Sequence, residues 1–320
     1  MGALDGQVAV VAGATRGAGR GIARMFGEAG ATVYGTGRSS RTQANTSDHP
    51  AAGRPETIEE TAEFVTAAGG LGIPVRVDHT VEDEVVALFE QVGDERGRLD
   101  ILVNVLTHRP PEDWSPLWRQ DVSEGRSLFD GWVWPHVVTA RHALPLMIEG
   151  KSGLVVEVIE QEWIGYHGQI WFDLFTISLK RLMYAVAVEG ADHGITALSV
   201  TPGFMRTEAI LEHFGATDET WREVARTNPE AKRWGFIASE TPCYVGRALV
   251  AVAADPQRQR FSGGVYSSST LAELYDFADL DGSRPDMKAY LNEHHPELLE
   301  PKAGVVHWEA DGPLPQRRYD

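Results

Sequence analysis

The chain of 320 residues holds a single cysteine, Cys243, so an internal disulfide is excluded. No apolar run approaches the ~20 residues that a bilayer-spanning helix needs. Positive charge is scarce: 29 Lys and Arg stand against 46 Asp and Glu, for a formal net charge of -17 and a pI near 5.1. Such a surface repels phosphate backbones and anionic lipids, so we expect neither nucleic-acid nor membrane partners. The basic residues that matter should then be local ones facing a small ligand. No Cys/His cluster and no His-Glu-x-x-His spacing occurs, which predicts no metal, and the His294-His295 pair reads as a solvated feature of the tail. The first residues read as running straight into an apolar strand, so no signal peptide is expected, and the setting expected is soluble, reducing and cytoplasmic.

What is present begins with Val8 to Ile22, VAVVAGATRGAGRGI, an apolar run followed by glycines at 13, 17, 19 and 21 and the start of an amphipathic helix. That order describes a buried strand turning sharply into a helix whose free N–H groups face an anion, commonly a dinucleotide pyrophosphate. Gly13 lets the chain leave the strand tightly, Gly17 admits phosphate close to the backbone, and Gly19 lets the helix pack close. Strands and helices then alternate, which predicts an α/β fold with a doubly wound parallel sheet of Rossmann type. We expect a single domain over 1–285 and a C-terminal extension over 286–320.

Strand two, Ala31 to Gly37, ends in Arg38 rather than in the carboxylate that holds a ribose 2'-hydroxyl in NAD-preferring folds. Arg38, with Arg16 of the glycine loop, suits a 2'-phosphate through charge-assisted bonds, so NADP is the expected cofactor. A polar loop over 39–55 follows. Further predicted elements are helices over 56–68, 81–96, 127–149, 172–193 and 241–254, and strands over 73–78, 99–104, 153–159, 195–201 and 263–269. The stretch 108–125 reads as irregular.

The Gly-x3-Gly-x-Gly spacing and Leu99-Asp100-Ile101-Leu102-Val103-Asn104 resemble the short-chain dehydrogenase/reductase superfamily. Phe277-Ala278-Asp279-Leu280-Asp281-Gly282-Ser283-Arg284-Pro285 is similar to a signature of its branch related to dehydrogenase/reductase family member one. The resemblance implies a cofactor held by Gly13, Thr15, Arg16, Gly17 and Gly19, by Arg38, by Asp78 and His79 near the adenine, by Asn104, and by Pro202, Gly203 and Thr207 near the nicotinamide. It also implies a substrate lid over 204–240 and a homo-oligomer, dimer or tetramer. Where the superfamily closes strand four with Asn-Asn-Ala-Gly, this chain has Asn104-Val105-Leu106-Thr107, so the following loop should take another path.

A superfamily reductase uses a Tyr proton donor, a Lys four residues on, a Ser from strand five and an Asn from the preceding helix. The Glu that closes the family's Tyr-bearing helix corresponds to Glu189, which sets the Tyr position at Phe172 and the Lys position at Thr176. The branch pattern Tyr-Asp-Leu-x-Lys reads here Phe172-Asp173-Leu174-Phe175-Thr176, in the same register. The Asn position falls on Trp132 and the Ser position at or beside Glu160. Lys180 lies about 12 Å farther along the helix than Phe172 and is poorly placed to substitute. Ordinary ketone reduction, which needs a proton delivered to a developing alkoxide, should therefore be poor, since a general acid contributes ~10²- to 10⁴-fold.

Candidate substitutes are His136, one turn beyond Trp132 and expected to face the cleft, Glu160, Glu162, Tyr166 and His167. Trp114, Trp118, Trp132, Trp134, Trp163 and Trp171 all map to segments expected to border that cleft, and clustered indoles suit a bulky hydrophobic, aromatic or cationic substrate. Three readings stay open. One is an NADPH-dependent reductase of secondary metabolism acting on a pre-activated acceptor, iminium-like or conjugated. Another is a non-redox cyclase or isomerase of a natural-product intermediate that keeps NADP for shape. The third is a catalytically inactive NADP-binding protein.

Overall fold

A computed structural model describes residues 2–43, 53–109, 111–160, 166 and 168–296. Glu162, Trp163, His167, most of the 39–55 loop and the tail beyond 296 lie outside the described residues. In chain order the elements are β1 (Val8–Ala12), α1 (Gly17–Glu28), β2 (Thr32–Gly37), α2 (Ile58–Ala67), β3 (Leu71–Arg76), α3 (Glu82–Arg96) and β4 (Ile101–Asn104). They continue with α4 (Val122–Glu149), β5 (Gly153–Val158), α5 (Ile170–Gly190), β6 (Ile195–Thr201), α6 (Glu208–Phe214), α7 (Trp221–Thr227) and α8 (Pro229–Arg233). Last come α9 (Pro242–Ala254), β7 (Val265–Ser267), α10 (Ser268–Tyr275) and α11 (Met287–His294).

The strands form one parallel sheet of seven in the order β3-β2-β1-β4-β5-β6-β7. Side chains alternate across it, so each strand feeds two cores. Ala9 and Val11 of β1 join Ile22 and Phe26 of α1 and Val245 and Leu249 of α9 on one face. Val8 and Val10 join Leu88 of α3, Ala143 of α4 and Met183 of α5 on the other. Helices on both faces of a parallel sheet make the expected doubly wound, Rossmann-type single domain. Cys243 is buried in the first turn of α9, where that helix packs on α1.

Several boundaries differ from those read from sequence. The last strand is only Val265–Ser267, because the Ser267 hydroxyl accepts from Thr270 N and starts α10 there. Helix α4 begins at Val122, five residues early, because Asp121 caps it by accepting from Ser123 N. The expected tail opens with α11, capped by Asp286. The 204–240 segment carries α6, α7 and α8 and has a core of its own, in which Phe214, Trp221 and Phe236 are buried. Among the described residues, no helix is long and apolar enough to cross a membrane, and no group of His, Cys, Asp and Glu is placed to hold a metal ion.

Candidate active site

The sheet order reverses between β1 and β4, and in open α/β sheets ligands bind past the carboxyl ends of strands at such a point. A cleft lies there. Its β2-side cavity, about 310 Å³, is lined by Gly13, Thr15, Arg16, Arg38, Ser39, Arg54, Asp78 and His79 among others. Its β5-side cavity, about 250 Å³, is lined by Gly17, Trp132, Glu160, Phe175, Thr176, Leu179, Pro202 and Thr207 among others. Gly13, Arg16 and Val105 to Thr107 wall both, so the two are halves of one groove.

Gly13, at φ +89°, sits so close to strand four's exit that a Cβ would come 2.5 Å from the Val105 carbonyl oxygen, and a Cβ on Gly19 would come 2.1 Å from that of Gly13. Any side chain at either position would fill the cradle. Helix α1 has no side-chain cap of its own, Arg16 standing at the N-cap. The Gly17 N–H instead donates to Glu208 Oε2 at 2.9 Å, so a carboxylate from the chain already occupies the loop's anion position. The loop is therefore chemically suited to a phosphate.

Around the β2-side cavity, Arg16 Nη2 donates to Ser39 Oγ at 3.1 Å, and Arg38 Nη1 lies 3.9 Å from Asp78 Oδ2. Burial holds the Arg16 guanidinium below its ordinary pKa, against the opposing pull of Glu56. Arg54, which sequence reasoning left inside an aperiodic loop, grips buried Glu56 with two bonds of 3.0 and 2.6 Å and reaches Glu212 at 2.8 Å. Asp78 lines this half, accepting from Thr80 N and Oγ1. His79 lines it too, but its ring is spent elsewhere: Nε2 meets Thr36 Oγ1 at 2.7 Å and Nδ1 meets Thr139 Oγ1 at 2.8 Å. Because Thr139 Oγ1 donates to Pro135 O, it accepts from Nδ1, and Nε2 is the acceptor. Burial pushes this imidazole down to about 3, with nearby His136 adding to the effect.

Two expected site residues sit behind the cleft rather than in it. Register places Asn104 beside Glu157, and Asn104 Nδ2 donates to Glu157 Oε1 at 2.6 Å. His136, fully buried on α4, pairs through Nδ1 with Glu157 Oε2 and donates from Nε2 to the Leu106 carbonyl at 3.0 Å. Its expected orientation toward the cleft is thus corrected. It fixes the strand-four loop from beneath, where the superfamily's small residues are missing. Glu157 went unnoticed in the sequence because a lone carboxylate in a strand ordinarily points to solvent.

In the β5-side half, Trp132 stacks on Phe175 at 3.8 Å between centroids, and Phe172 meets both rings edge-on at 6.1 and 4.8 Å. Glu160 lines the same cavity with its side chain still exposed to solvent, and the rise that desolvation gives its carboxyl pKa, which Lys180 opposes, is screened there. Thr176 is buried with its Oγ1 lacking a hydrogen-bond partner among the described residues. Lys180, buried on the next turn, is lowered to about 8 by burial, against the charges of Asp173 and Glu160. Pro202 and Thr207 line this half, while Gly203 N donates to Glu240 Oε2 at 2.9 Å. Buried Glu240 also accepts from Ser268 Oγ at 2.6 Å, and burial pushes its carboxyl up to about 8.

The expected aromatic wall is narrower than the tryptophan count suggested. Trp132 lines the cavity, whereas Trp114, Trp118 and Trp134 are exposed and Trp171 packs against Gly125 of α4. Trp114 and Trp118 precede α4 in a stretch with no periodicity from which their direction could be read. Tyr166 is exposed and lines neither half of the cleft.

The short chain dehydrogenase family model matches residues 7–215, and the chain belongs to that family of oxidoreductases, whose members typically bind a nicotinamide cofactor. Over 290 residues it is 31% identical to human dehydrogenase/reductase SDR family member 1, covering 87% of this chain and 85% of that protein. Among solved structures, a short chain dehydrogenase from Mycobacterium thermoresistibile superposes with a TM-score of 0.69 at 18% identity, over 89% of this chain and 92% of that one. YwfH, an NADPH-dependent reductase involved in bacilysin biosynthesis, gives 0.64 at 18% identity, over 82% and 96%.

Proposed function

We propose that this protein binds NADP(H) in the cleft and reduces a bulky hydrophobic or aromatic small molecule of secondary metabolism whose acceptor carbon is already activated, iminium-like or conjugated. The observation that carries the reading is the polarity of the groove, with Arg16, Arg38 and Arg54 around one end and Trp132, Phe175 and Glu160 at the other. The arginines suit a 2'-phosphate, the Gly13 to Gly19 loop a pyrophosphate, and Pro202 and Thr207 the nicotinamide end. When bound, the cofactor supplies the hydride.

The chain's own residues do the rest. Trp132 and Phe175 present aromatic surface that excludes water and favours a flat or cationic partner. Glu160, held protonated to higher pH than a free carboxyl, complements positive charge when ionised and releases a proton when not. In the register argued above, Trp132, Glu160, Phe172 and Thr176 take the family's four polar positions. A phenyl ring at 172 delivers no proton, which is why a pre-activated acceptor is favoured. The raised carboxyl of Glu160 beside aromatic rings also supports a second reading, proton transfer in a non-redox cyclisation or isomerisation. Exposed Val122, Phe129, Trp134 and Leu174, on α4 and α5, support a homo-oligomer.

Fluorescence titration tests the cofactor: NADPH should bind more tightly than NADH, and Arg38→Ala should bring the two together. Equal affinities in the unmodified protein overturn the clamp. Incubating candidate substrates with and without NADPH, following product mass and cofactor absorbance, tests the chemistry. Product formed without NADPH consumption replaces the reductase reading with the non-redox one.

A further inference from the structure

Helix α6 touches the dinucleotide-binding elements with two carboxylates one turn apart. Glu208 accepts from the Gly17 N–H at 2.9 Å, with its other oxygen 3.8 Å from Arg20 Nε. Glu212 accepts from Arg54 Nη1 at 2.8 Å. Ala209, between them, lines the β2-side cavity, so this face of α6 borders the groove itself. Glu208 occupies the donor that an uncapped α1 offers to an anion, and Glu212 occupies one arm of an arginine at the groove's basic end.

The two contacts differ in how readily they yield. Glu56, the other partner of Arg54, is buried and holds the guanidinium through two bonds, whereas the Glu212 side chain is 74% exposed and makes one. An arriving phosphate would therefore take the Glu212 arm and leave Glu56 in place, because an exposed carboxylate regains its hydration on release. At Gly17 there is a single amide proton to share, so a phosphate and Glu208 compete for it directly.

We propose that α6 is an internal competitor of the dinucleotide. Glu208 stands in for the pyrophosphate, and Glu212 stands in for the 2'-phosphate, so that binding displaces α6 and the 204–240 segment responds to which phosphates the cofactor carries. This rests on the NADP(H) reading above. Both NADPH and NADH must displace Glu208, but only NADPH brings a group that competes with Glu212. The segment thereby sets both affinity and selectivity.

The test is a set of NADPH and NADH titrations on the full chain, on Glu208→Ala and on Glu212→Ala, with hydrogen–deuterium exchange measured in the absence of cofactor. Glu208→Ala should tighten both cofactors by a common factor of about ten, the size of one charge-assisted hydrogen bond. Glu212→Ala should tighten NADPH alone, by up to about the same factor. Exchange across 206–215 should rise in both variants before any cofactor is added. Tight binding that is unchanged or weakened in both variants overturns the competitor while leaving the cofactor reading intact. Failure of all three proteins to bind either dinucleotide overturns the cofactor reading and the proposal with it. Unchanged exchange in both variants overturns the contact between α6 and the groove.

Discussion

The two halves of the cleft are built on opposite principles. On the β2 side, charged groups sit in pairs at the rim: Arg16 and Arg54 with Glu56, Arg38 with Asp78. Each of these three arginines has an answering carboxylate. On the β5 side, exposed Glu160 and buried Thr176 share a cavity with the stacked rings of Trp132 and Phe175, and Thr176 Oγ1 has no described partner. The first half is suited to holding a known type of group, the second to changing one. A buried polar atom without a hydrogen-bond partner is costly, and among the described residues both halves hold such atoms, Arg16 Nε and His108 Nδ1 in the first and Thr176 Oγ1 in the second.

Substitutions at five positions would break or sharpen that contrast. Glu160→Gln should have the largest effect, lowering turnover by ~10²- to 10⁴-fold if Glu160 moves the proton, with NADPH affinity unchanged in a titration. A parallel loss of affinity would mean that the halves are not separable. Glu157→Ala should destabilise the fold by about 3–5 kcal/mol in denaturant unfolding, because His136 and Asn104 lose their shared buried partner. Glu157→Gln, which keeps the shape and Asn104's acceptor, should cost much less.

A smaller effect concerns pH, and it has opposite signs on the two sides. The folded pKa of Glu240 is raised to about 8 from 4.5, so its contribution is full below 4.5 and is lost as pH rises through 8. That of His79 is depressed to about 3 from 6.5, so its contribution is full above 6.5 and is lost as pH falls toward 3. Melting temperatures of Glu240→Gln should thus show a weaker alkaline decline, and those of His79→Gln a weaker acid decline. A swap of those slopes would refute the assignment. The smallest effect is expected from Phe172→Tyr, which should leave ketone reduction near background, because an unassisted phenol near pKa 10 is a weak acid. Robust activity on simple ketones would show that one ring oxygen repairs the site.

The same contrast decides what could be read from the chain alone. The parallel sheet and the glycine loop are written in short-range signals: alternation of strands and helices, and glycines where a Cβ meets a carbonyl oxygen. Arg38 was legible because it lies directly beyond β2, and Arg16 because it stands in the short glycine turn between β1 and α1. Arg54 was not, since its place depends on how an aperiodic loop returns to Glu56. Glu208 was hidden for a similar reason, its partner Gly17 being 191 residues away. His136 was legible as a residue but not in its direction: the same helix face that carries Trp132 to the cleft turns His136 beneath the strand-four loop. Its partner Glu157 meets Asn104 only through sheet register, a relation no local pattern contains.

Cys243 gives the molecule one practical property. Its thiol is buried in the first turn of α9, and burial lifts its pKa to about 11, so it stays protonated and slow to react with alkylating reagents at neutral pH. The native chain thus offers a nearly silent background for thiol chemistry. A cysteine introduced on the exposed side of α6 can be labelled singly, and a spectroscopic probe attached there would report the position of that helix in real time.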